Sequence, residues 1–164
     1  MKRLVVLGAI VTTVLVPSVA SADSPIREFF PADPITVEDV CDFPLLFDPI
    51  INQEFVQSFF DEEGNLERQI VTGRFVEELT NLDSDESITV NVSGPVFFNF
   101  TEDTLMVRTE GRTLLFFLPG DLTSGQSYVR VTNGPNIFEV DLATGATTPI
   151  LESTNFVDVC EALA

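Results

Sequence analysis

From Cys41 onward the sequence breaks into short β-prone runs separated by turn chemistry, and nowhere do apolar residues recur at helical spacing for long enough to build an amphipathic helix. That pattern admits an all-β domain and little else. The runs are Gln53 to Phe60, Glu67 to Leu79, Ser87 to Val92, Val96 to Phe100, Leu105 to Glu110, Thr113 to Leu118, Ser127 to Thr132, Asn136 to Asp141, Thr148 to Leu151 and Phe156 to Cys160. Between them, Glu63-Gly64-Asn65, Asn133-Gly134-Pro135 and Ala143-Thr144-Gly145 supply residues suited to tight connections, so the runs read as hairpins joined in sequence. Ile88, Val90 and Val92 alternate with Ser87, Thr89 and Asn91, which gives that strand one core face and one wet face. Leu114 to Leu118 is apolar on both faces and predicts a strand covered on both sides, with the Phe-bearing N-terminal segment as a candidate cover. Gly73 in the middle of a long run marks a bulge or the bend of a barrel corner. The expected fold is a single antiparallel β-barrel of about 8–10 short strands, with a β-sandwich as the alternative.

The N-terminus carries a different signal. Lys2 and Arg3 precede an apolar run from Leu4 to Val16, then Pro17 and the small residues Ala20-Ser21-Ala22, so residues 1–22 read as a secretory signal peptide. The apolar run falls short of the roughly 20 residues that cross a bilayer, and the sequence offers no lipid-accepting Cys, twin arginine or C-terminal anchor. The expectation is a secreted, extracellular protein without a transmembrane or lipid anchor. Residues 23–40, with Pro25, Pro31 and Pro34, read as an extended N-terminal arm whose Phe29 and Phe30 are pinned on the body formed by residues 41–164.

Charge removes one class of partner. The chain has 26 acidic residues against 8 basic ones and a net charge of -18. Once the signal is removed, the only cations are Arg27, Arg68, Arg74, Arg108, Arg112 and Arg130, too scattered to follow a phosphate backbone. Nucleic acid is therefore not an expected partner. Acidity of this degree confers solubility outside the cell and also suits a saline medium, where salt screens self-repulsion. The 45% hydrophobic content and 15 Phe still supply a packed core.

Cys41 and Cys160 stand near the two ends of the predicted domain, and an exported chain with two cysteines is expected to join them in a disulfide.

Several chemistries are excluded by counting. The chain has no His, which removes Ser-His-Asp and Cys-His catalysis and imidazole metal sites. No lysine remains beyond the signal for a Schiff base, and nucleotide-binding glycine motifs are absent. A pair of carboxylates is the general acid/base device that remains, but 26 acids offer too many pairs for the sequence to select one. Two weaker constellations are candidates. Asn81, Asp83 and Asp85 alternate, with Glu86 following, in the manner of oxygen ligands for calcium, although the glycine and flanking helices of an EF-hand are missing. Arg74, Arg108, Tyr128 and Arg130 lie within strands and would converge on an anionic ligand if their faces turned inward; on outer faces they would bridge neighbouring carboxylates.

The segments Thr72 to Asn81, Ser87 to Phe98 and Leu114 to Asp121, with Cys41-Asp42-Phe43-Pro44 and the closing Asp158-Val159-Cys160, resemble a group of small secreted β-rich actinobacterial proteins with two terminal cysteines. The resemblance implies export and the disulfide, and carries no activity, cofactor or site residue.

The functional expectation is a secreted, non-catalytic β-domain that binds a small apolar or amphipathic ligand or an extracellular surface partner, motivated by the Phe-rich strands and requiring no cofactor. The alternatives are an extracellular carboxylate-based enzyme, a hydrolase or a barrel isomerase or cyclase, and a calcium-stabilised structural module of the cell exterior.

Overall fold

A computed structural model describes residues 25–164; the predicted signal peptide lies outside them. The described chain is all-β apart from one short helix. Its strands are β1 Ile26–Phe29, β2 Ile35–Val37, β3 Leu45–Phe60, β4 Leu66–Asn81, β5 Ser87–Asn91, β6 Val96–Phe100, β7 Thr104–Thr109, β8 Arg112–Phe117, β9 Tyr128–Asn133, β10 Asn136–Asp141, β11 Thr147–Leu151 and β12 Phe156–Asp158, followed by α1 Val159–Ala162. All strand pairings are antiparallel.

The strands form two sheets and not the expected barrel. The larger runs β1-β3-β4-β6-β7-β10-β11, with β2 also on β3 and β5 also on β4, and the smaller runs β12-β9-β8. Two connections that look like hairpin turns in the sequence prevent closure. The chain leaves the large sheet at Gly111, between β7 and β8, and returns at Gly134, between β9 and β10, so each pair of consecutive strands sits in different sheets. Gly111 and Gly134 have φ of 69° and 140°, and the amide of Gly134 donates to the carbonyl of Gly111 at 2.8 Å. The two crossings are thus tied together, and the hairpin between them becomes a separate layer.

That layer is covered on both faces, as the doubly apolar run predicts. On one face, Leu114, Val129 and Val131 join Leu45, Phe47, Leu79 and Val90 of the large sheet in a core that also takes in Val159 and Leu163. On the other, Leu115, Phe117 and Tyr128 pack with Val107 of β7 and Phe138 of β10. The cover on that second side is the far end of the large sheet and not the N-terminal arm.

A buried polar node joins the layers. Asn136, fully buried on β10, donates from Nδ2 to the hydroxyls of Thr109 on β7 at 2.9 Å and Thr132 on β9 at 3.0 Å, while its Oδ1 accepts from the amide of Ser153 at 2.9 Å. Replacing it with alanine strands these partners in a dry interior, so Asn136→Ala is expected to lower the unfolding free energy by about 2–3 kcal/mol in urea denaturation.

The long hairpin β3–β4 organises the site. A register shift between Pro49 and Ile51 inserts one extra residue, so the inward positions are odd before it (Leu45, Phe47, Pro49) and even after it (Asn52, Glu54, Val56). On the partner strand the inward row runs Val71, Gly73, Phe75, Glu77, Leu79. Gly73 lies opposite Glu54 with φ of 152°, and a Cβ there would collide with the Gln53 carbonyl and Glu54 Cα. Around this point the sheet forks. β4 pairs with β6 through Arg68 to Val71 and with β5 through Val76 to Thr80, while β3 pairs with β1 through Phe55 to Ser58 and with β2 through Leu45 to Phe47. The expected arm therefore contributes two short strands to the sheet. The Phe30 amide donates to the Glu54 carbonyl at 3.0 Å, and Asn52 Nδ2 donates to the Phe30 carbonyl at 2.8 Å.

Cys41 and Cys160 form the disulfide, with their Cα atoms 5.4 Å apart and a sequence separation of 119. It does not join first strand to last. It ties the β2–β3 connection to α1, because Asp158 ends the final strand early by capping the helix, accepting from the amides of Cys160 and Glu161.

Candidate functional site

The fork leaves a cavity of about 260 Å3 between the inward face of β3 and β4, strand β6 and strand β8 at the edge of the small sheet. Residues 30–35 of the arm close one side. Most of the wall is apolar, and five phenylalanines contribute to it: Phe30, Phe47, Phe75, Phe98 and Phe116. Phe47 and Phe116 meet across the two sheets with ring centroids 5.3 Å apart. Phe30, Ile35 and Phe116 remain partly exposed and form an open, greasy margin. An apolar cavity of about 150 Å3 already accommodates benzene. This one has room for a ring with a short side chain.

Two carboxyls interrupt the apolar wall. Glu54 and Glu77 are each only 7% exposed and both line the cavity. They are there because the row of inward positions requires something at each: the bulge turns Glu54 inward, and Glu77 stands between Phe75 and Leu79 in strict alternation. No salt bridge among the described residues involves either carboxylate, and the only other charged residue lining the cavity is Asp33, which is exposed. Burial pushes the Glu54 carboxyl up from 4.5 to about 7. Glu77 also rises to about 7, through burial first and the nearby charge of Glu54 second. Thr113, 7% exposed on the cavity wall, keeps a buried hydroxyl with no hydrogen-bond partner.

The raised values fix the sign of a pH effect. Between pH 4.5 and 7 the folded protein holds protons that the unfolded chain has released, so this contribution to stability is fully present below 4.5 and is lost as pH rises through about 7. The Glu54→Gln/Glu77→Gln variant is expected to lose less stability than the parent between pH 5 and 8, by about 2–3 kcal/mol in urea melts. Parallel curves would contradict burial of the two charges.

The residues singled out by sequence lie elsewhere. Arg74 is exposed on the outer face of β4, opposite Gln53. Arg108 pairs with Glu110 at 3.1 Å and lies over the Phe97 ring. Tyr128 and Arg130 share a face of β9, where the guanidinium sits 4.0 Å from the Tyr128 ring and 4.3 Å from that of Phe156. Glu152 accepts from the Tyr128 hydroxyl at 2.5 Å and faces Arg130 at 3.8 Å. Burial and then the bond to Glu152 push the Tyr128 hydroxyl well above its ordinary value. Tyr128 and Arg130 thus come together around Glu152, whereas Arg74 and Arg108 lie apart from them, and two of the arginines face carboxylates.

Asn81, Asp83, Asp85 and Glu86 form the β4–β5 turn. Asn81 Oδ1 accepts from the amides of Asp83 and Ser84, and its Nδ2 donates to the Leu163 carbonyl at 2.8 Å. The spacing is accounted for by turn chemistry. Among the described residues no group of three or more His, Cys, Asp or Glu side chains is placed to hold a metal. No described helix is long and apolar enough to cross a membrane.

Sequence reasoning missed Glu54 and Glu77. A signal existed for the second, since Glu77 shares the parity of Val71, Phe75 and Leu79. None existed for Glu54, whose facing depends on the bulge. In comparison with known proteins, no family model, curated protein or solved structure matches this chain.

Proposed function

We propose that this chain is a secreted, non-catalytic β-domain that holds a small amphipathic molecule in the cavity at the fork of its large sheet. The observation that carries this reading is an open pocket walled by five phenylalanines with polar groups confined to a few points, the usual make-up of a small-molecule site. The apolar body of the ligand packs against Phe47, Phe75 and Phe116, and its polar end meets Glu54 and Glu77. The sandwich-like arrangement of two sheets supports this role because the cavity lies between the large sheet and the edge of the small one.

The probe 2-phenylethanol has one ring, a short chain and one hydroxyl. It is expected to raise the melting temperature in a concentration-dependent manner, as any ligand selective for the folded state must. Phe116→Ala, at a partly exposed wall position, is expected to weaken that shift while changing the unliganded melting temperature by only a few degrees. A melting temperature unmoved by the probe, or a shift equal in the variant, would count against the cavity.

A carboxylate-based enzyme is the second reading, favoured by the two glutamates near 7, where either can give or take a proton at neutral pH. The cavity wall supplies no cationic side chain to stabilise a developing anion. Recovery of the bound molecule chemically unchanged after prolonged incubation supports binding over turnover, and a changed mass or spectrum supports the enzyme.

A further inference from the structure

The geometry points to a small primary ammonium ion carrying an apolar or aryl body as the ligand class of this cavity, an inference that rests on the cavity reading above. Glu54 and Glu77 enter the same apolar space with no protein cation beside them, so the wall has negative ends and no counter-charge. Burying charges without partners is costly, and an entering cation supplies what the fold lacks. Each carboxyl is more than nine-tenths buried on this wall, so neither finds its counter-charge in open solvent. The two carboxylates offer acceptor oxygens for the N–H donors of a primary ammonium. The remaining wall suits the rest of such a molecule: Phe30, Phe47, Phe75, Phe98 and Phe116 present ring surface, which attracts cations at its faces and covers apolar groups elsewhere. An anionic ligand meets the opposite situation, since Glu54, Glu77 and Asp33 are the only charged residues on the lining.

Binding is coupled to protons. When the free protein holds protons on Glu54 or Glu77, an ammonium ion must displace them, so its affinity falls as pH is lowered from 8 to 5. Asp33, exposed at the arm, is the remaining charged group facing the cavity and is carried unchanged in the test variant.

The test is calorimetric titration of the whole protein at pH 8 and at pH 5 with phenethylamine, a cation at both values, and with 2-phenylethanol as its neutral counterpart of nearly equal shape. Phenethylamine is expected to bind about tenfold tighter than 2-phenylethanol at pH 8, the size of one buried charge-assisted interaction. That advantage is expected to shrink at pH 5. In Glu54→Gln/Glu77→Gln it is expected to vanish: phenethylamine loses about tenfold more affinity than 2-phenylethanol, whose hydroxyl the glutamines can still meet, and saturable binding of 2-phenylethanol shows that the variant is folded around an intact cavity. Equal affinity for the two probes in the parent protein overturns the ammonium inference and leaves the apolar cavity standing. Undiminished phenethylamine binding by the variant also overturns it, locating the cation on the acidic surface. Failure of both probes overturns this inference and the cavity reading together.

Discussion

Replacing Cys41 and Cys160 together with serine is expected to lower the unfolding free energy by up to about 5 kcal/mol, the chain-entropy value for a loop of this length; measured losses for native bridges commonly start near 2 kcal/mol. The loss is expected to be large here because of what the bridge holds. Cys41 packs with Val40 and Phe43 against the main core, and Cys160 belongs to α1, whose Val159 and the following Leu163 are among the most buried side chains. Without the bond the short helix has one turn and a single cap to keep it in place. The β2–β3 connection, which leads from the arm closing the cavity, loses its tether to the far end of the chain. Chemical denaturation with and without reductant checks this. A midpoint that does not move would show that packing alone fixes both ends.

Gly73→Ala is expected to cost about 3–5 kcal/mol. Its φ of 152° is a conformation that residues with a Cβ rarely adopt, and the Cβ would run into the backbone of Gln53 and Glu54, which cannot swing away as a side chain could. Strain and overpacking each contribute on the order of 1–3 kcal/mol. The outward-facing neighbour Thr72 provides the control, since Thr72→Ala touches neither constraint and is expected to stay within about 1 kcal/mol. If Gly73→Ala folds with parental stability, the close approach of β3 and β4 at the fork is not as described.

These two positions also show what was legible in the sequence. The pairing of the cysteines followed from their number and the predicted export signal, and Gly73 stood out as a glycine inside a β-prone run, although the register shifts fall at Pro49 and Phe59 and what Gly73 provides is room for the backbone of Gln53 and Glu54. Alternation in Ser87 to Val92 correctly placed a half-buried strand, and the doubly apolar Leu114 to Leu118 placed one packed on both faces, although Phe116 and Leu118 stay partly exposed. The first half of β3 was hidden by Pro44 and Pro49. A proline is tolerated at position 49 because it sits at the bulge, on a stretch of strand laddered on one side only, between the segments paired with β2 and β1. The expectation of a barrel failed at Gly111 and Gly134. A two- or three-residue glycine connection makes either a hairpin or a crossing between layers, and the choice is made by partners remote in sequence, such as Asn136 with Thr109.

The candidate site was less legible for the same reason. Phe-rich strands announced an apolar interior, but which acids face it depends on a one-residue register shift and a fork in the sheet, neither of which leaves a local pattern around Glu54. Arg130 and Tyr128 attracted attention through their chemistry, yet they are occupied with each other and with Glu152.

The central claim is that the space between β3, β4, β6 and β8 receives a ligand. Heteronuclear NMR of the protein titrated with 2-phenylethanol tests it most directly. Saturable shifts concentrated on Phe47, Phe75, Val92, Thr113 and Phe116 are predicted. Saturable shifts centred elsewhere, for instance around Tyr128 and Glu152, or no saturable shifts at all, would contradict it.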